Sequence, residues 1–291
     1  MNLAVGFFDG VHLGHQRILA QADAALTFSN HPATVFAPAR APRLLMTCAD
    51  RLAAISVALH DAQSDSIRAL DFTPAFAAQP PVAFADWLRV EYPALDTLYC
   101  GENWTFGAGG MGNADFLRAR GFRVEVVPYA DYEGAPISST RIRAALAAGN
   151  LVAANAMLGR PYSLSGRIVS GKGLGRSMGF PTLNVLPKLA DSPLTRGVYA
   201  VATPFGRGLA NWGVAPTMGE RAWKSPVLEV HLLGETSICS QDVSDAELRV
   251  AFLSFLRPER TFPSIADLQA QIARDAVAAQ EARPGQMSKM E

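Results

Sequence analysis

The first half of the chain alternates short apolar runs with stretches of helical character, and this alternation constrains the fold more than any other feature. The expected strands are 3–8, 25–28, 67–72, 97–101 and 123–128, and the expected helices are 16–25, 48–60, 82–90, 113–120 and 139–148. Alternation of this kind predicts a parallel sheet covered by helices on both faces. Ligands of such sheets bind beyond the carboxyl ends of the strands.

The pattern changes after Gly149. A short helical piece, 151–158, precedes β-like runs separated by Gly and Pro, which is typical of an antiparallel barrel. These runs are 163–169, 183–186, 197–203, 207–214, 227–233 and 249–256, and an amphipathic helix at 264–282, with Ser264 as N-cap, follows them. The length of 291 residues also favours two domains. We therefore expect an α/β protein: a Rossmann-like domain with a parallel sheet at 1–155, and an antiparallel β-barrel closed by a long helix at 156–291.

Composition narrows the class of partner. The formal net charge is zero, so no basic field is available to hold a polynucleotide, and a small-molecule nucleotide is the more natural partner. The three cysteines, Cys48, Cys100 and Cys239, are far apart, which favours a reducing cytosol over a disulfide framework or a zinc site. The first apolar run is too short for a membrane span and lacks a basic flank. We expect a cytoplasmic protein without membrane partners, and its oligomeric state is left open.

The run Gly6–Gln16 reads GFFDGVHLGHQ and joins an expected strand to an expected helix. A glycine-containing turn that opens a helix directs backbone N–H groups and the helix N-terminus at one spot, which suits a phosphate. His12 and His15 flank Leu13-Gly14 at this turn, and two imidazoles can donate hydrogen bonds to charge that builds on a phosphoryl group. The run predicts phosphate chemistry at the carboxyl edge of the sheet.

The run Pro136–Arg143 reads PISSTRIR, with three hydroxyl side chains at an expected helix start and two arginines just after them. Hydroxyls, helix-end N–H groups and guanidinium groups together can clamp a polyphosphate. An ordinary Ser/Thr cap followed by solvent-facing arginines explains this run equally well.

Two features of the second half carry chemistry. Gly166 to Lys172 nearly match a P-loop, but Gly173 occupies the Ser/Thr slot and no helix is expected after it, so a conventional P-loop is rejected. Glu229 lies in an otherwise apolar strand, where a carboxylate is either paired at the barrel rim or placed for proton transfer.

Together these runs resemble the bifunctional riboflavin kinase/FAD synthetases, and the resemblance extends from Gly6 to about Asp275. GFFDGVHLGHQ resembles the signature of the His-x-Gly-His nucleotidyltransferases, and PISSTRIR resembles the segment that holds the β- and γ-phosphates of ATP. The run that ends in GFPTLN resembles the riboflavin kinase signature. The resemblance implies phosphorylation of riboflavin to FMN by ATP, then adenylylation of FMN to FAD with release of pyrophosphate. The alternatives are a protein that retains one activity and a non-catalytic flavin- or nucleotide-binding regulator.

The resemblance also implies roles for individual residues. The implied catalytic residues are His12, His15 and Glu229. The implied ATP or phosphate ligands are Gly6, Phe8, Asp9, Gly14, Asn103, Ser138, Ser139, Thr140, Arg143, Gly171, Lys172, Gly173 and Gly175. The implied flavin contacts are Phe28, His31, Pro32, Phe36 and Arg257. Magnesium is implied at Thr182 and Asn184, whose oxygen atoms suit a hard cation that keeps most of its waters.

Two segments depart from the family pattern. Ser29-Asn30 stand where the family usually has an acidic residue and Pro before His31-Pro32, and 234–243 lacks the usual Tyr-Gly or Phe-Gly step. Both departures concern the expected flavin contacts and neither affects an implied catalytic residue.

Overall fold

A computed structural model describes residues 1–60, 66–169, 182–213, 226–234 and 243–282. The chain divides into two compact units: Met1–Arg43 with Thr47–Ser139, and Leu44–Met46 with Thr140–Glu291. The first unit contains a parallel sheet and the second a closed antiparallel barrel, so the expected α/β class is confirmed. The domain limits expected at 1–155 and 156–291 stay a prediction.

The sheet of the first unit has five parallel strands in the order β3-β2-β1-β4-β5. The strands are β1 (Asn2–Val5), β2 (Ala24–Phe28), β3 (Ile67–Leu70), β4 (Thr97–Gly101) and β5 (Arg123–Val127). The strand order reverses at β1, because the chain first builds outward through β2 and β3 and then returns to β4 on the other side. This arrangement places a crevice at the carboxyl end of β1, which is where such sheets bind ligands.

Helices of this unit are α1 (Leu13–Leu19), α2 (Ala33–Phe36), α3 (Cys48–Ala58), α4 (Pro74–Ala77), α5 (Pro81–Glu91) and α6 (Ala114–Arg118). Helix α1 ends well before the expected residue 25, because Ala24 already pairs with Leu3 in the sheet. The short helices α2 and α4 and a hairpin of β6 (Asp131–Tyr132) and β7 (Ala135–Pro136) were not expected. The core packs α5 against the central strands.

The second unit is a barrel closed in the order β10-β11-β12-β9-β8-β13. Its strands are β8 (Tyr162–Val169), β9 (Thr182–Pro187), β10 (Gly197–Thr203), β11 (Gly206–Gly213), β12 (Val227–Leu232) and β13 (Glu247–Arg257). The helices are α7 (Ser139–Ala147), α8 (Leu151–Leu158) and α9 (Ile265–Glu281). Ser264 caps α9 as expected, since its side chain accepts a hydrogen bond from the Asp267 N–H.

Helix α8 is tied to the barrel by a buried asparagine. The Asn155 side chain donates to the Phe252 carbonyl at 3.0 Å and accepts from the Tyr162 N–H at 2.7 Å. The Thr195 N–H also donates to the carbonyl of Leu146, the penultimate residue of α7. Both helices therefore pack with the strands that follow them. Across the described residues, no helix combines the length and apolar character needed to cross a bilayer.

Candidate active sites

The loop between β1 and α1, residues 6–12, holds an unusual backbone at the carboxyl edge of the sheet. Phe8 and Val11 adopt φ values of 57° and 40°, in the left-handed region that residues other than glycine rarely occupy. Both side chains are buried, and the Gln16 side chain donates to the Val11 carbonyl at 2.8 Å. Gly6 lies against the Phe8 ring, and a Cβ there would approach it to 2.8 Å. Strain of this kind concentrates at functional sites, where surrounding contacts hold it in place.

His12 and His15 are brought together as expected. His12 is the N-cap of α1, and its Nδ1 accepts a hydrogen bond from the His15 N–H at 3.3 Å. The two rings stack with centroids 3.6 Å apart and planes 19° from parallel. Gly14 leaves room for this stack, because a Cβ at that position would lie 3.2 Å from the His12 ring. The helix N-terminus and the two imidazoles thus lie together in the segment that follows β1.

The surroundings of His15 favour its neutral imidazole. Burial lowers the pKa of His15 well below its ordinary value of 6.5, and the neighbouring His12 lowers it further. The His15 Nδ1 is buried and has no hydrogen-bond partner within the described part of the chain. A neutral ring keeps one N–H that can donate to a phosphate oxygen.

One hydroxyl of the PISSTRIR run, that of Ser139, contacts the β1–α1 loop. The Ser139 hydroxyl donates to the Asp9 carbonyl at 2.8 Å, across 130 residues of sequence. The Ile137 N–H donates to the Ala130 carbonyl at 2.8 Å and holds the approach to α7. Thr140 and Arg143 lie on the first turns of α7, with Thr140 exposed and Arg143 half-buried.

An aromatic cluster stands at the carboxyl ends of β2 and β3. The Phe28 ring meets Phe72 edge-on at 5.1 Å and Phe76 at 5.6 Å, and the Phe36 ring meets Phe72 at 5.3 Å. Phe36 is 60% exposed, so the cluster presents an apolar surface to solvent. Phe72 and Phe76 were not predicted as site residues, although Phe72 lies two residues beyond the end of β3.

Asn30, which belongs to the Ser29-Asn30 departure from the family pattern, joins two segments of the first unit. Its side chain donates to the Phe72 carbonyl at 2.9 Å and accepts from the Phe72 N–H at 2.8 Å. It therefore ties the segment after β2 to the segment after β3. The neighbouring His31 accepts from the Ala33 N–H through Nδ1 and packs edge-on against Phe7 at 4.6 Å, while Pro32 precedes α2.

Asn103 is exposed just beyond the carboxyl end of β4. The loop that follows it is closed by paired hydrogen bonds between Phe106 and Gly112, at 3.0 and 2.9 Å. A bond from the Ala108 N–H to the Gln79 carbonyl anchors the loop further. Asn103 thus follows the strand that pairs directly with β1. Its expected contact with ATP stays a prediction.

The barrel gathers the second set of expected residues on one face. Thr182 and Asn184 are half-buried and alternate along β9 with buried Leu183, so their side chains share a face. Asn184 lies directly opposite Glu229 of β12, and Glu229 lies opposite Asn211 of β11. The side chains of 184, 229 and 211 therefore form a polar row across three strands.

A second carboxylate lies beside this row. The Asn211 side chain donates to Glu259 Oε1 at 3.2 Å, and Gly213 leaves the space, since a Cβ there would overlap the Glu259 carboxylate. Burial raises the pKa of Glu229, and the negative charge of Glu259 raises it further. A carboxylate with a raised pKa is suited to accept a proton near neutral pH. Glu259 was not predicted as a site residue from the sequence. It lies two residues beyond Arg257, the last residue of β13.

Comparison with known proteins assigns a family to each half of the chain. The FAD synthetase family matches residues 1–141, and the riboflavin kinase family matches residues 158–283. A Haemophilus influenzae protein named bifunctional riboflavin kinase/FMN adenylyltransferase is 35% identical over 94% of this chain and 91% of its own length. Proteins of the same name from Pseudomonas fluorescens and Escherichia coli K12 are each 34% identical, over 94% and 96% of this chain and 90% and 91% of their own lengths. The chain belongs to the family of the bifunctional riboflavin kinase/FMN adenylyltransferases. It is an enzyme of flavin-cofactor biosynthesis with kinase and adenylyltransferase domains.

A solved structure shares the fold of this family member. The crystal structure titled macrolide-efflux protein from Streptococcus pneumoniae matches with a TM-score of 0.78, covering 96% of this chain and 93% of that one. At 24% identity, this likeness shows the fold alone.

Two groups of expected site residues stand apart from the clusters above. Arg257 is buried and bound by Asp275, with Nη2 at 2.8 Å and Nε at 2.9 Å from the same oxygen, so it joins β13 to α9. Its expected flavin contact stays a prediction. The glycine loop residues Gly171, Lys172, Gly173 and Gly175 lie outside the described residues.

Proposed function

We propose that each unit of the chain carries one step of the conversion of riboflavin to FAD: the second unit phosphorylates riboflavin and the first adenylylates the resulting FMN. The observation that supports this proposal is the presence of a cluster of polar side chains in each unit. One is the stacked pair His12–His15 at the sheet crevice, and the other is the row of Asn184, Glu229 and Asn211 on the barrel.

In the adenylyl step, a phosphate oxygen of FMN attacks the α-phosphorus of ATP while the bond to pyrophosphate breaks. His12, His15 and the N-terminus of α1 donate hydrogen bonds to the charge that develops on the α-phosphate oxygens. Ser139, whose hydroxyl donates to the Asp9 carbonyl of the β1–α1 loop, holds the leaving pyrophosphate. The phosphate contacts that the resemblance implies for Thr140 and Arg143 stay predictions. The half-exposed aromatic surface around Phe36 provides an apolar face for the flavin ring.

In the kinase step, the 5′-hydroxyl oxygen of riboflavin attacks the γ-phosphorus of ATP and ADP leaves. Glu229 accepts the hydroxyl proton, for which its raised pKa prepares it. The amide of Asn211 keeps the second carboxylate, Glu259, hydrogen-bonded close by.

The shared face of Thr182 and Asn184 fits magnesium, because it offers neutral oxygen atoms that leave most coordination sites to water and phosphate. Within the described ranges, no group of three or more His, Cys, Asp or Glu side chains is placed to hold a metal ion. When bound, magnesium supplies neutralising charge on the phosphates.

The defining experiment is turnover of riboflavin plus ATP with and without magnesium, with FMN and FAD separated by chromatography. The variant His12→Ala/His15→Ala should accumulate FMN, whereas Glu229→Gln should convert only supplied FMN to FAD. Wild-type protein that forms only one product would support a single retained activity, and absence of both would support a binding protein without turnover.

The partners proposed are the small molecules ATP, riboflavin and FMN, without nucleic acid or membrane. A cytoplasmic location stays a prediction from the cysteine pattern; Cys48 and Cys100, which fall within the described residues, are free thiols.

A further inference from the structure

Arg51 of α3 is completely buried, although arginine is rarely found so unless paired. Its Nη2 donates to the carbonyl of Phe28 and lies 3.5 Å from that of Ser29. The same nitrogen is 3.7 Å from the sulfur of Cys48. No motif in the sequence singled out this residue.

The remaining guanidinium nitrogens, Nε and Nη1, are buried without a hydrogen-bond partner among the described residues. Burial lowers the pKa of Arg51, against the opposing effects of Cys48 and Asp9 nearby. An incompletely paired buried charge costs free energy, and an apolar side chain of similar volume would fill the same space without that cost. The arginine is therefore poorly explained by stability alone.

Its location suggests what it does instead. The Cζ of Arg51 lies 4.1 Å from the centroid of the Phe7 ring, and Phe7 is the second residue of the β1–α1 loop that leads to His12. On its other side, Arg51 is hydrogen-bonded to the carbonyl of Phe28, which is the last residue of β2 and belongs to the aromatic cluster. A planar guanidinium can stack on a ring and donate hydrogen bonds in its own plane at the same time, which the ammonium of lysine cannot do.

We propose that Arg51 is a positioning residue for adenylyl transfer, which sets the spacing between the β1–α1 loop and the segment after β2 by stacking on Phe7 and binding the Phe28 carbonyl. This inference rests on the proposed function of the first unit. The loop carries the groups that act on ATP, and the segment after β2 carries those that hold the flavin. In-line transfer requires the two substrates to be aligned, and a misplacement of about 1 Å can cost roughly a hundredfold in rate.

The test compares Arg51→Lys with wild type in both half-reactions on one preparation. The kcat of adenylylation should fall roughly tenfold to a hundredfold while the KM values for ATP and FMN change by less than about threefold. Riboflavin phosphorylation should be unchanged. Arg118→Lys is the control, because Arg118 also donates to a strand carbonyl, that of Val124 in the edge strand β5. It should lower the melting temperature without a selective loss of kcat.

An adenylylation kcat within about twofold of wild type per folded molecule would overturn the inference, as would a raised KM for FMN with kcat intact. If Arg51→Lys does not fold, Phe7→Leu removes only the stacked ring and should show the same selective loss; a normal kcat in that variant also overturns the inference. Wild-type protein that forms no FAD would instead contradict the function proposed for the first unit.

Discussion

Asn184 and Glu229 lie directly opposite each other on neighbouring antiparallel strands of the barrel. Asn184 is the proposed metal ligand and Glu229 the proposed base, and the two residues are 45 positions apart in the sequence. The register therefore sets the proposed metal ligand beside the carboxylate that is proposed to take the proton of the attacking hydroxyl. The proposed kinase step thus depends on strand pairing as well as on the two side chains.

Replacing Glu229 by Gln should separate proton transfer from structure. FMN production should fall about a hundredfold to ten-thousandfold, because Gln cannot accept a proton, while adenylylation of supplied FMN persists.

The raised pKa means that the folded state holds the Glu229 proton more tightly than the unfolded state. Stability is thus lost as pH rises from the ordinary value of 4.5 through the folded pKa, so Gln should raise the melting temperature at neutral pH. A rim carboxylate with only a structural role predicts that kinase turnover is retained.

Replacing Glu259 by Gln should move the pH dependence of the kinase. Removing this like charge lowers the pKa of Glu229, so the acid limb of kcat/KM should shift to lower pH. Glu247→Gln is the control, because Glu247 is an exposed carboxylate of the same unit paired with Lys188. An acid limb that stays in place in both variants would show that Glu259 does not act on Glu229.

Replacing both His12 and His15 by Ala should abolish FAD formation and leave riboflavin phosphorylation nearly intact. Loss of a hydrogen-bond donor to a transition state typically costs roughly a hundredfold to a thousandfold. His60→Ala, at an exposed position of the same unit, should leave both half-reactions unchanged. FAD formation at a normal rate in the double variant would remove the stacked pair from the mechanism.

His15 should also make the first unit sensitive to acid. Its folded pKa lies below the ordinary 6.5, so the unfolded chain binds the proton more tightly. The stability from the neutral ring is present above about pH 6.5 and is lost as pH falls toward the folded pKa. The melting temperature of His15→Asn should therefore decline less steeply than that of wild type below that pH. Parallel declines would show that the burial of His15 is not linked to folding.

Fragments of the second unit test where its limit lies. A fragment from residue 140 to the C-terminus should melt higher than one from residue 156, because the shorter fragment loses the hydrogen bonds of Asn155 with Phe252 and Tyr162. Each such bond contributes about 1 kcal/mol, and the packing of α7 and α8 adds to it. Equal melting temperatures and equal kinase activity would support the limit predicted at 155.

The strands and most helices follow from local pattern, since the side-chain periodicity of each segment reflects the surface that it buries. Strands β4 and β10, for example, occur at the residues predicted for them. The end of α1 was placed too late, because pairing of Ala24 with Leu3 overrides a sequence that would continue a helix. Local propensity is a weak determinant where a sheet competes for the same residues.

Local patterns along the chain were enough to predict the two-part architecture and the groups that lie close in sequence, above all His12 and His15, which one helical turn joins. Contacts between groups that are distant in sequence became visible in the folded chain alone. Arg51 meets Phe28 across 23 residues, Asn30 meets Phe72 across 42, and Asn211 meets Glu259 across 48. These contacts leave no periodic signal along the chain, because they form between segments whose proximity is set by strand order and barrel closure.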